Sequence, residues 1–278
     1  MAEPLRRDCP FGNLLTRWRL ARGLSQLRLA TEASISSRHL SFLETGRSQP
    51  SREMVLHLAD ALEVPLRERN SLLLAAGYAP QFAETALEDP EMAHVRHILD
   101  LMLTGYEPFG AVAVDRAWDI VLANSSFARL MRLMGIEDSE GSNILELLFS
   151  PEGLRPFIAN WDEVGYHLIQ RVHREALDAG NRPEAHDLLQ SLLSRAGVPQ
   201  LWRMLDVQSV PDLLVPVHLR AGDVDLRLFT AITTLGTPQD VTLQELRIEA
   251  LLPADPASEA VLRSLAQAGE ASASPARG

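Results

Sequence analysis

Hydrophobic residues recur at steps of three and four through the first eighty positions, and this spacing predicts a series of short amphipathic helices. Glycine, serine and proline mark where these helices begin and end. Gly23 ends the first helix, Ser25 caps the second, Ser51 caps the fourth, and Pro65 and Gly77 bound the fifth. Five short helices with brief connections predict an all-α domain.

The third helix lies within residues 35–51, and its two sides differ in chemistry. Leu40 and Leu43 lie on one side. Short hydroxyls and one Arg lie on or near the other side: Ser36, Ser37, Arg38 and Ser41. A helix in the major groove of DNA uses Arg to recognise guanine and hydroxyls to reach base edges or phosphates. We therefore interpret this segment as a recognition helix, with an ordinary surface helix as the alternative.

The second half of the chain contains both apolar strand candidates and helix candidates. Two strand candidates come first, several helices follow, and three strand candidates come last. This order predicts an α+β domain, a five-stranded antiparallel sheet with helices on one face. The predicted strands are 111–115, 119–123, 214–220, 224–235 and 246–252, and the predicted helices are 127–134, 143–149, 159–179 and 183–196.

These patterns divide the chain into four parts. Residues 1–79 form the predicted helical domain and residues 108–267 the α+β domain. Residues 80–107 form a linker with a connecting helix, because Pro80 breaks the helical pattern before them. Residues 268–278 are rich in small residues and proline, which predicts a disordered tail.

Charge separates the two halves. The chain has a net charge of −11, and all 26 basic residues are Arg. Residues 1–80 hold 11 Arg against 8 acidic residues, whereas residues 81–278 hold 15 against 29. A mildly basic first domain can approach phosphate, while the acidic remainder is repelled by it. A single cysteine, Cys9, and the absence of a long apolar run predict a cytoplasmic protein without a membrane segment.

The first domain contains the runs GLSQ at 23–26, LSFLETGR at 40–47 and PS at 50–51. Over about 65 residues, this pattern resembles the phage-repressor (Cro/C1, XRE) family of helix-turn-helix proteins. It implies that Gln26 and Ser37 contact DNA backbone and base edge, that Arg38 and Ser41 face the groove, and that Arg47 binds phosphate. With Ser36, these are the predicted DNA contacts. Double-stranded operator DNA is therefore the expected partner, and a homodimer the expected assembly.

The second half resembles the MmyB-like regulator ligand-binding domain, a PAS-like fold. The similarity lies in the runs VDRAWD at 114–119 and FTAITTLGTPQDVT at 229–242, and in PAD at 253–255. It implies a pocket between sheet and helices for an apolar small molecule such as a fatty acid. The two resemblances together predict a transcription regulator that responds to this molecule.

Several residues are candidates for lining such a pocket, although a filled core would use the same residue types. Met side chains suit an adaptable cavity. Trp118 lies at the pocket rim or caps the first hairpin, and Asn124 is either a helix cap or a ligand contact. Arg171 is one of four Arg candidates, with Arg129, Arg132 and Arg174, for pairing with a ligand carboxylate. The apolar candidates are Phe127, Leu130, Met131, Met134, Trp161 and Leu168.

No pattern of catalytic residues stands out. The chain lacks a Gly-rich phosphate loop, a Gly-x-Ser-x-Gly elbow, a His-Glu-x-x-His motif and a Cys-x-x-Cys motif. His94 and His97 lie near Glu91 at a spacing that could hold a metal, but two His are a weak signal and we interpret them as helix surface. We predict no enzyme, no metal and no cofactor beyond a bound lipid. The alternatives are a ligand-free dimerisation domain and an enzyme.

Overall fold

The computed structural model describes residues 9–177, 183–204 and 215–273. They form two compact units. The first contains residues 9–85 and 237–244, and the second contains 86–177, 183–204, 215–236 and 245–273. The first unit therefore extends beyond the predicted boundary at residue 79 and includes a segment from late in the sequence.

The secondary structure follows the predicted order, with two further helices near the end. The helices are α1 (Pro10–Ala21), α2 (Gln26–Glu32), α3 (Ser37–Glu44), α4 (Arg52–Ala61), α5 (Leu66–Ala75), α6 (Ala93–Thr104), α7 (Ser125–Leu133), α8 (Ile144–Phe149), α9 (Trp161–Leu177), α10 (Pro183–Ser194), α11 (Val241–Glu245) and α12 (Pro256–Ala273). The strands are β1 (Gly110–Val114), β2 (Ile120–Ala123), β3 (Val217–Ala221), β4 (Val224–Thr234) and β5 (Arg247–Pro253).

Serine caps set the starts of three helices in the first unit. The hydroxyl oxygens of Ser25, Ser36 and Ser51 each accept a hydrogen bond from the backbone N–H three residues later. Each cap satisfies one of the N–H groups that a helix start leaves without an intrahelical partner. These caps fix the lengths of the turns, and so the angle at which α3 leaves α2.

Close packing of α1 on the end of α3 depends on a glycine. A Cβ at Gly12 would lie 2.3 Å from the carbonyl oxygen of Glu44. The unit's core, which includes Trp18, Leu40 and Leu43, is almost completely buried. Helix α3 is thus held by its apolar side, and its other side remains available.

Residues 237–244 are fastened within the first unit by hydrogen bonds. Asp240 Oδ2 accepts from the backbone N–H and the hydroxyl of Thr85, at 3.1 and 2.8 Å. Gln244 Oε1 accepts from the N–H of Leu66 at 2.6 Å, at the start of α5. The predicted division of the chain into consecutive domains therefore needs this correction.

As predicted, the second unit contains a five-stranded antiparallel sheet with helices, and the strand order is β2-β1-β5-β4-β3. All five residues of β1 are buried, so both faces of the sheet are covered there. Helix α12 was not predicted, and it continues through Ala273, into the segment predicted as a tail. Part of the predicted first strand of the final three, residue 214, lies outside the described residues.

Candidate functional site

Helix α3 presents its polar side outward. Leu40 and Leu43 are completely buried, whereas Arg38 is exposed and Ser37 and Ser41 are partly exposed. The Ser36 hydroxyl accepts from the N–H of His39 at 3.1 Å, so its first role is to cap the helix. The predicted groove-facing residues therefore share one accessible surface.

Two Arg side chains on this surface lie over one aromatic ring. The guanidinium of Arg38 is 5.3 Å from the ring centroid of Phe42, and that of Arg47 is 5.9 Å from it. Cation–π attraction over this distance restricts where the two charges lie. The ring connects the predicted base-reading Arg with the predicted phosphate-binding Arg.

A buried ion pair holds α1, α2 and α3 together. Arg19 Nε donates to Glu44 Oε1 at 2.6 Å, and Arg19 Nη2 donates to Oε2 at 3.1 Å. Their side chains are only 9% and 5% exposed. Gln26 Nε2 donates to the same carboxylate at 2.7 Å, which fixes the predicted phosphate contact at the start of α2. Glu44 thus orients a side chain predicted to contact DNA, while its own carboxylate is buried.

The second unit encloses an apolar cavity of about 110 Å³ between sheet and helices. Five of the predicted contacts line it: Trp118, Phe127, Met131, Met134 and Leu168. Sequence reasoning missed the lining residues from the sheet and from α8, among them Val112, Ile144, Leu148, Leu228, Thr230, Glu249 and Leu251. The pleat of each strand places alternate residues on the cavity side, but strand pairing had to be known to identify them.

The other four predicted ligand contacts do not line this cavity. Asn124 Oδ1 accepts from the N–H groups of Ala111 and Phe127, and its Nδ2 donates to two backbone carbonyls, so the side chain is fully engaged. Leu130 packs in the core against Gly110. Trp161 packs edge-on against Phe149, with ring centroids 4.8 Å apart.

The fourth, Arg171, belongs to an ion cluster at the wall of the cavity. Arg171 Nη2 lies 3.0 Å from Glu249 Oε1, and Arg171 Nε lies 3.5 Å from Glu175 Oε1. Arg247 Nη1 lies 3.3 Å from the same Glu175 oxygen, and Arg247 Nε 3.6 Å from Glu249 Oε1. The two guanidiniums are 4.2 and 3.8 Å from the ring centroid of Trp118. Two guanidinium groups and two carboxylates therefore surround the Trp118 ring, which lines the cavity.

Trp118 has an unusual backbone conformation. Its φ of +73° lies in the left-handed region, which costs a bulky residue about 1–3 kcal/mol. Its indole Nε1 donates to Glu175 Oε2 at 2.9 Å, and its side chain is buried. In the same turn, Asp115 Oδ1 accepts from the N–H groups of Ala117 and Asp119. Burial nevertheless raises the pKa of the Asp115 carboxyl above its ordinary value, against the effect of these hydrogen bonds.

Three buried polar atoms of the ion cluster form no hydrogen bond with a described residue: the donors Arg247 Nε and Nη2, and the acceptor Glu249 Oε1, which lies in ion-pair contact with Arg171 Nη2 at 3.0 Å. Burial lowers the pKa of the Arg247 guanidinium, while attraction to Glu175 and Glu249 opposes that shift. Buried polar atoms in native proteins are nearly always satisfied. Of the four charged side chains in this cluster, Glu249 is the one that lines the cavity.

Among the described residues, no helix is long and apolar enough to cross a membrane. No group of three or more His, Cys, Asp or Glu side chains among the described residues could hold a metal ion, and this includes the neighbourhood of His94 and His97.

Comparison with known families matches both units. The family model of the MmyB-like transcription regulator ligand binding domain matches residues 95–265. A helix-turn-helix domain model matches residues 10–72. No curated protein matches the chain.

Solved structures of PAS type resemble the chain. The PAS domain from Bordetella pertussis BvgS is 13% identical, covers 64% of this chain and 98% of its own, and gives a TM-score of 0.29. An RNA-binding Light-Oxygen-Voltage receptor is 13% identical, covers 95% of this chain and 63% of its own, and gives a TM-score of 0.30.

Proposed function

Because the chain belongs to the family of MmyB-like transcription regulators, we propose that it binds an operator as a homodimer and that a lipid-like aliphatic molecule regulates this binding. Its helix-turn-helix and its ligand-binding domain make it a DNA-binding transcription regulator with a ligand-sensing domain. The operator, the homodimer, the class of ligand and the action in the cytoplasm are the parts that we propose.

The outward side of α3 supports DNA binding. Arg38 and Ser41 are accessible on it, Arg47 follows in the next loop, and Phe42 lies beneath both guanidiniums. Arg reads guanine through two parallel hydrogen bonds, and hydroxyls contact base edges or phosphates. A homodimer of such units reads two half-sites about 34–36 Å apart along the duplex.

The lining of the cavity supports a lipid-like ligand. Aliphatic and aromatic side chains form most of it, and Met131 and Met134 can change rotamer to admit longer chains. At about 110 Å³ the cavity is slightly smaller than a cavity of about 150 Å³ that accepts benzene. A long acyl chain, such as the fatty acid that the resemblance implies, therefore requires these side chains to move.

Ligand binding would change operator affinity by a coupling free energy of about 1–3 kcal/mol. This corresponds to a change of about 5–150-fold in the operator Kd. The sign of the change depends on which state of the protein the ligand binds more tightly.

Two experiments test the proposal. One is native mass spectrometry of the purified full chain, and the other is selection of binding sites from random duplexes. We expect a bound aliphatic molecule and a palindromic site. Leu168→Trp should fill the cavity and displace the molecule, whereas Leu201→Trp, at a position that is 82% exposed, is the matched control and should retain it. Retention of the same bound mass by Leu168→Trp would refute the cavity as its site, and a random selected pool would refute operator recognition.

A further inference from the structure

A second cleft in the second unit, the polar cleft, differs from the apolar cavity in both size and chemistry. Its volume is about 610 Å³, which lies in the range of about 300–1,000 Å³ that is usual for small-molecule sites. Helices α6, α7 and α12 and the end of β2 contribute to its walls, and no described residue lines both this cleft and the apolar cavity. Among the described residues, the polar side chains that line it are Asp100, Thr104, Glu107, Asn124, Ser125 and Arg129.

Two of these side chains already have partners and hold the wall of the polar cleft in place. Asn124 is buried, and its amide forms hydrogen bonds with four backbone groups. Glu107 accepts from the backbone N–H and from the hydroxyl of Ser126, through one carboxylate oxygen each. Arg129 Nη2 lies 3.0 Å from the Ser126 hydroxyl and 3.5 Å from Glu107 Oε2. The groups that can bind a ligand are therefore the other polar side chains and the rest of the Arg129 guanidinium.

Asp100 and Arg129 supply two unlike charges that do not neutralise each other. Within the described part of the chain, the Asp100 side chain forms no ion pair or hydrogen bond, and the polar contacts of Arg129 all use Nη2. The hydroxyls of Thr104 and Ser125 also form no hydrogen bond with any residue that the structure describes. An ionised carboxylate accepts hydrogen bonds, and a guanidinium donates to a carboxylate in a matching fork. A ligand that uses both charges therefore carries an ammonium group and a carboxylate.

The remaining lining of the polar cleft is aliphatic. It consists of Leu103, Pro108, Ala123 and Ala266. Removal of a ligand's apolar carbons from water against such side chains favours binding. The lining therefore suits a zwitterion whose third part is an aliphatic side chain.

We propose that the polar cleft binds an aliphatic amino acid, whose ammonium group donates to Asp100 and whose carboxylate accepts from Arg129. The hydroxyls of Thr104 and Ser125 form hydrogen bonds with the same ligand. This ligand differs from the effector of the apolar cavity and is a second input to the same domain. The two proposals concern different residues, so either one can fail without the other.

L-leucine and two analogues test whether both charges bind the ligand. 3-Methylbutylamine keeps the ammonium group and the aliphatic chain but lacks the carboxylate, and 4-methylpentanoate lacks the ammonium group. Titration calorimetry on the full chain at about pH 7 compares them, because carboxyl groups are ionised and most amino groups protonated there. L-leucine should bind at least about ten-fold more tightly than either analogue, a difference of about 1.4 kcal/mol.

Three variants locate the bound amino acid. Asp100→Asn removes the anion, so L-leucine should bind at least about ten-fold more weakly, whereas 4-methylpentanoate should not. Arg129→Gln removes the cation, so L-leucine should again bind more weakly, whereas 3-methylbutylamine should not. Asp187→Asn is the matched control, because Asp187 is also an exposed Asp within a helix but does not line the cleft, and the affinity for L-leucine should remain. Thermal unfolding establishes that each variant is folded, and the wild-type affinities test the ligand class even where a variant is not.

Three results would overturn this inference. Absence of L-leucine binding at millimolar concentrations removes the site itself. An analogue that binds the wild-type chain as tightly as L-leucine shows that one of the two charges takes no part. An equal loss of affinity in Asp187→Asn and Asp100→Asn shows that net charge, and not contact with Asp100, attracts the ligand. None of these results concerns the effector of the apolar cavity, which Leu168→Trp tests separately.

Discussion

Replacing Glu44 by alanine should destabilise the helix-turn-helix unit strongly. The substitution leaves the Arg19 guanidinium buried, with the carbonyl oxygen of Leu24, 2.8 Å from Nη1, as its remaining hydrogen-bond acceptor among the described residues. Removing one partner of a buried ion pair typically costs about 3–5 kcal/mol, because the remaining charge is desolvated without compensation. A domain's whole unfolding free energy is about 5–15 kcal/mol, so this loss would leave a marginal fold.

An exposed ion pair in the same unit is the matched control. Arg28 and Glu32 pair at 2.6 Å on the surface of α2, with side chains 70% and 34% exposed. Glu32→Ala should cost at most about 0.5 kcal/mol, because solvent screens such a pair. The shortest separations are equal, so burial and the two further hydrogen bonds to Glu44, from Arg19 Nη2 and Gln26 Nε2, account for the expected difference.

A double variant separates stability from DNA recognition. Replacing both charges, Arg19→Met with Glu44→Leu, should recover most of the stability, since apolar replacements of a buried pair are often neutral or stabilising. Gln26 would still lose the carboxylate that it donates to at 2.7 Å. We therefore expect operator affinity to remain weakened in a protein that is folded.

Peptide-resolved hydrogen exchange in urea measures the stability of α1 and α3 apart from the second unit. Fluorescence anisotropy on the selected operator measures affinity. An equal cost for Glu44→Ala and Glu32→Ala would refute the argument from burial. Full operator affinity in the double variant would show that Gln26 does not depend on Glu44 for its position.

Three further substitutions test the same unit. Arg38→Ala should lose about 1–3 kcal/mol on the selected operator and relax discrimination at one or two base pairs, and equal losses on random DNA would contradict base reading. Arg47→Ala should weaken all duplexes alike and reduce the slope of log Kd against log salt, and an unchanged slope would remove it from the phosphate contacts. Gly12→Ala should destabilise the unit by about 1–3 kcal/mol in urea unfolding, because the new Cβ meets the Glu44 carbonyl oxygen; a neutral effect would mean that α1 shifts freely.

Local signals explain why so much of the helical unit was predictable. Ser25 and Ser51 cap helices with hydrogen bonds that span three residues, and Gly23 has the positive φ expected at a helix end. None of these depends on distant parts of the chain. A comparable local signal preceded α12, where Asp255 Oδ1 accepts from the N–H of Ser258 at 2.8 Å. No helix was predicted here, although the predicted tail begins only at residue 268.

The residues that line the cavity were harder to predict, because contacts between distant parts of the chain bring them together. Asn124 caps α7, one of the two roles that its position left open, and its other hydrogen bonds to Leu103, Phe109 and Ala111 occupy the rest of its side chain. Glu249 lies in a predicted strand with clear alternation, but its approach to the cavity follows from pairing with Val112 on β1 and Ile232 on β4. Aromatic and Met residues on one helix were the easier set to predict, because helical spacing alone places them together.

Trp118 contacts both the apolar cavity and the ion cluster beside it. Its left-handed backbone is unfavourable by itself, and the hydrogen bond to Glu175 and the guanidiniums of Arg171 and Arg247 are the interactions that offset this cost. The same ring forms part of the cavity wall. A ligand that displaces the ring must therefore also disturb the ion cluster that the ring contacts. Ligand binding in the cavity and the arrangement of these charges consequently cannot change independently. We therefore expect occupancy of the cavity to be felt at the strained turn between β1 and β2.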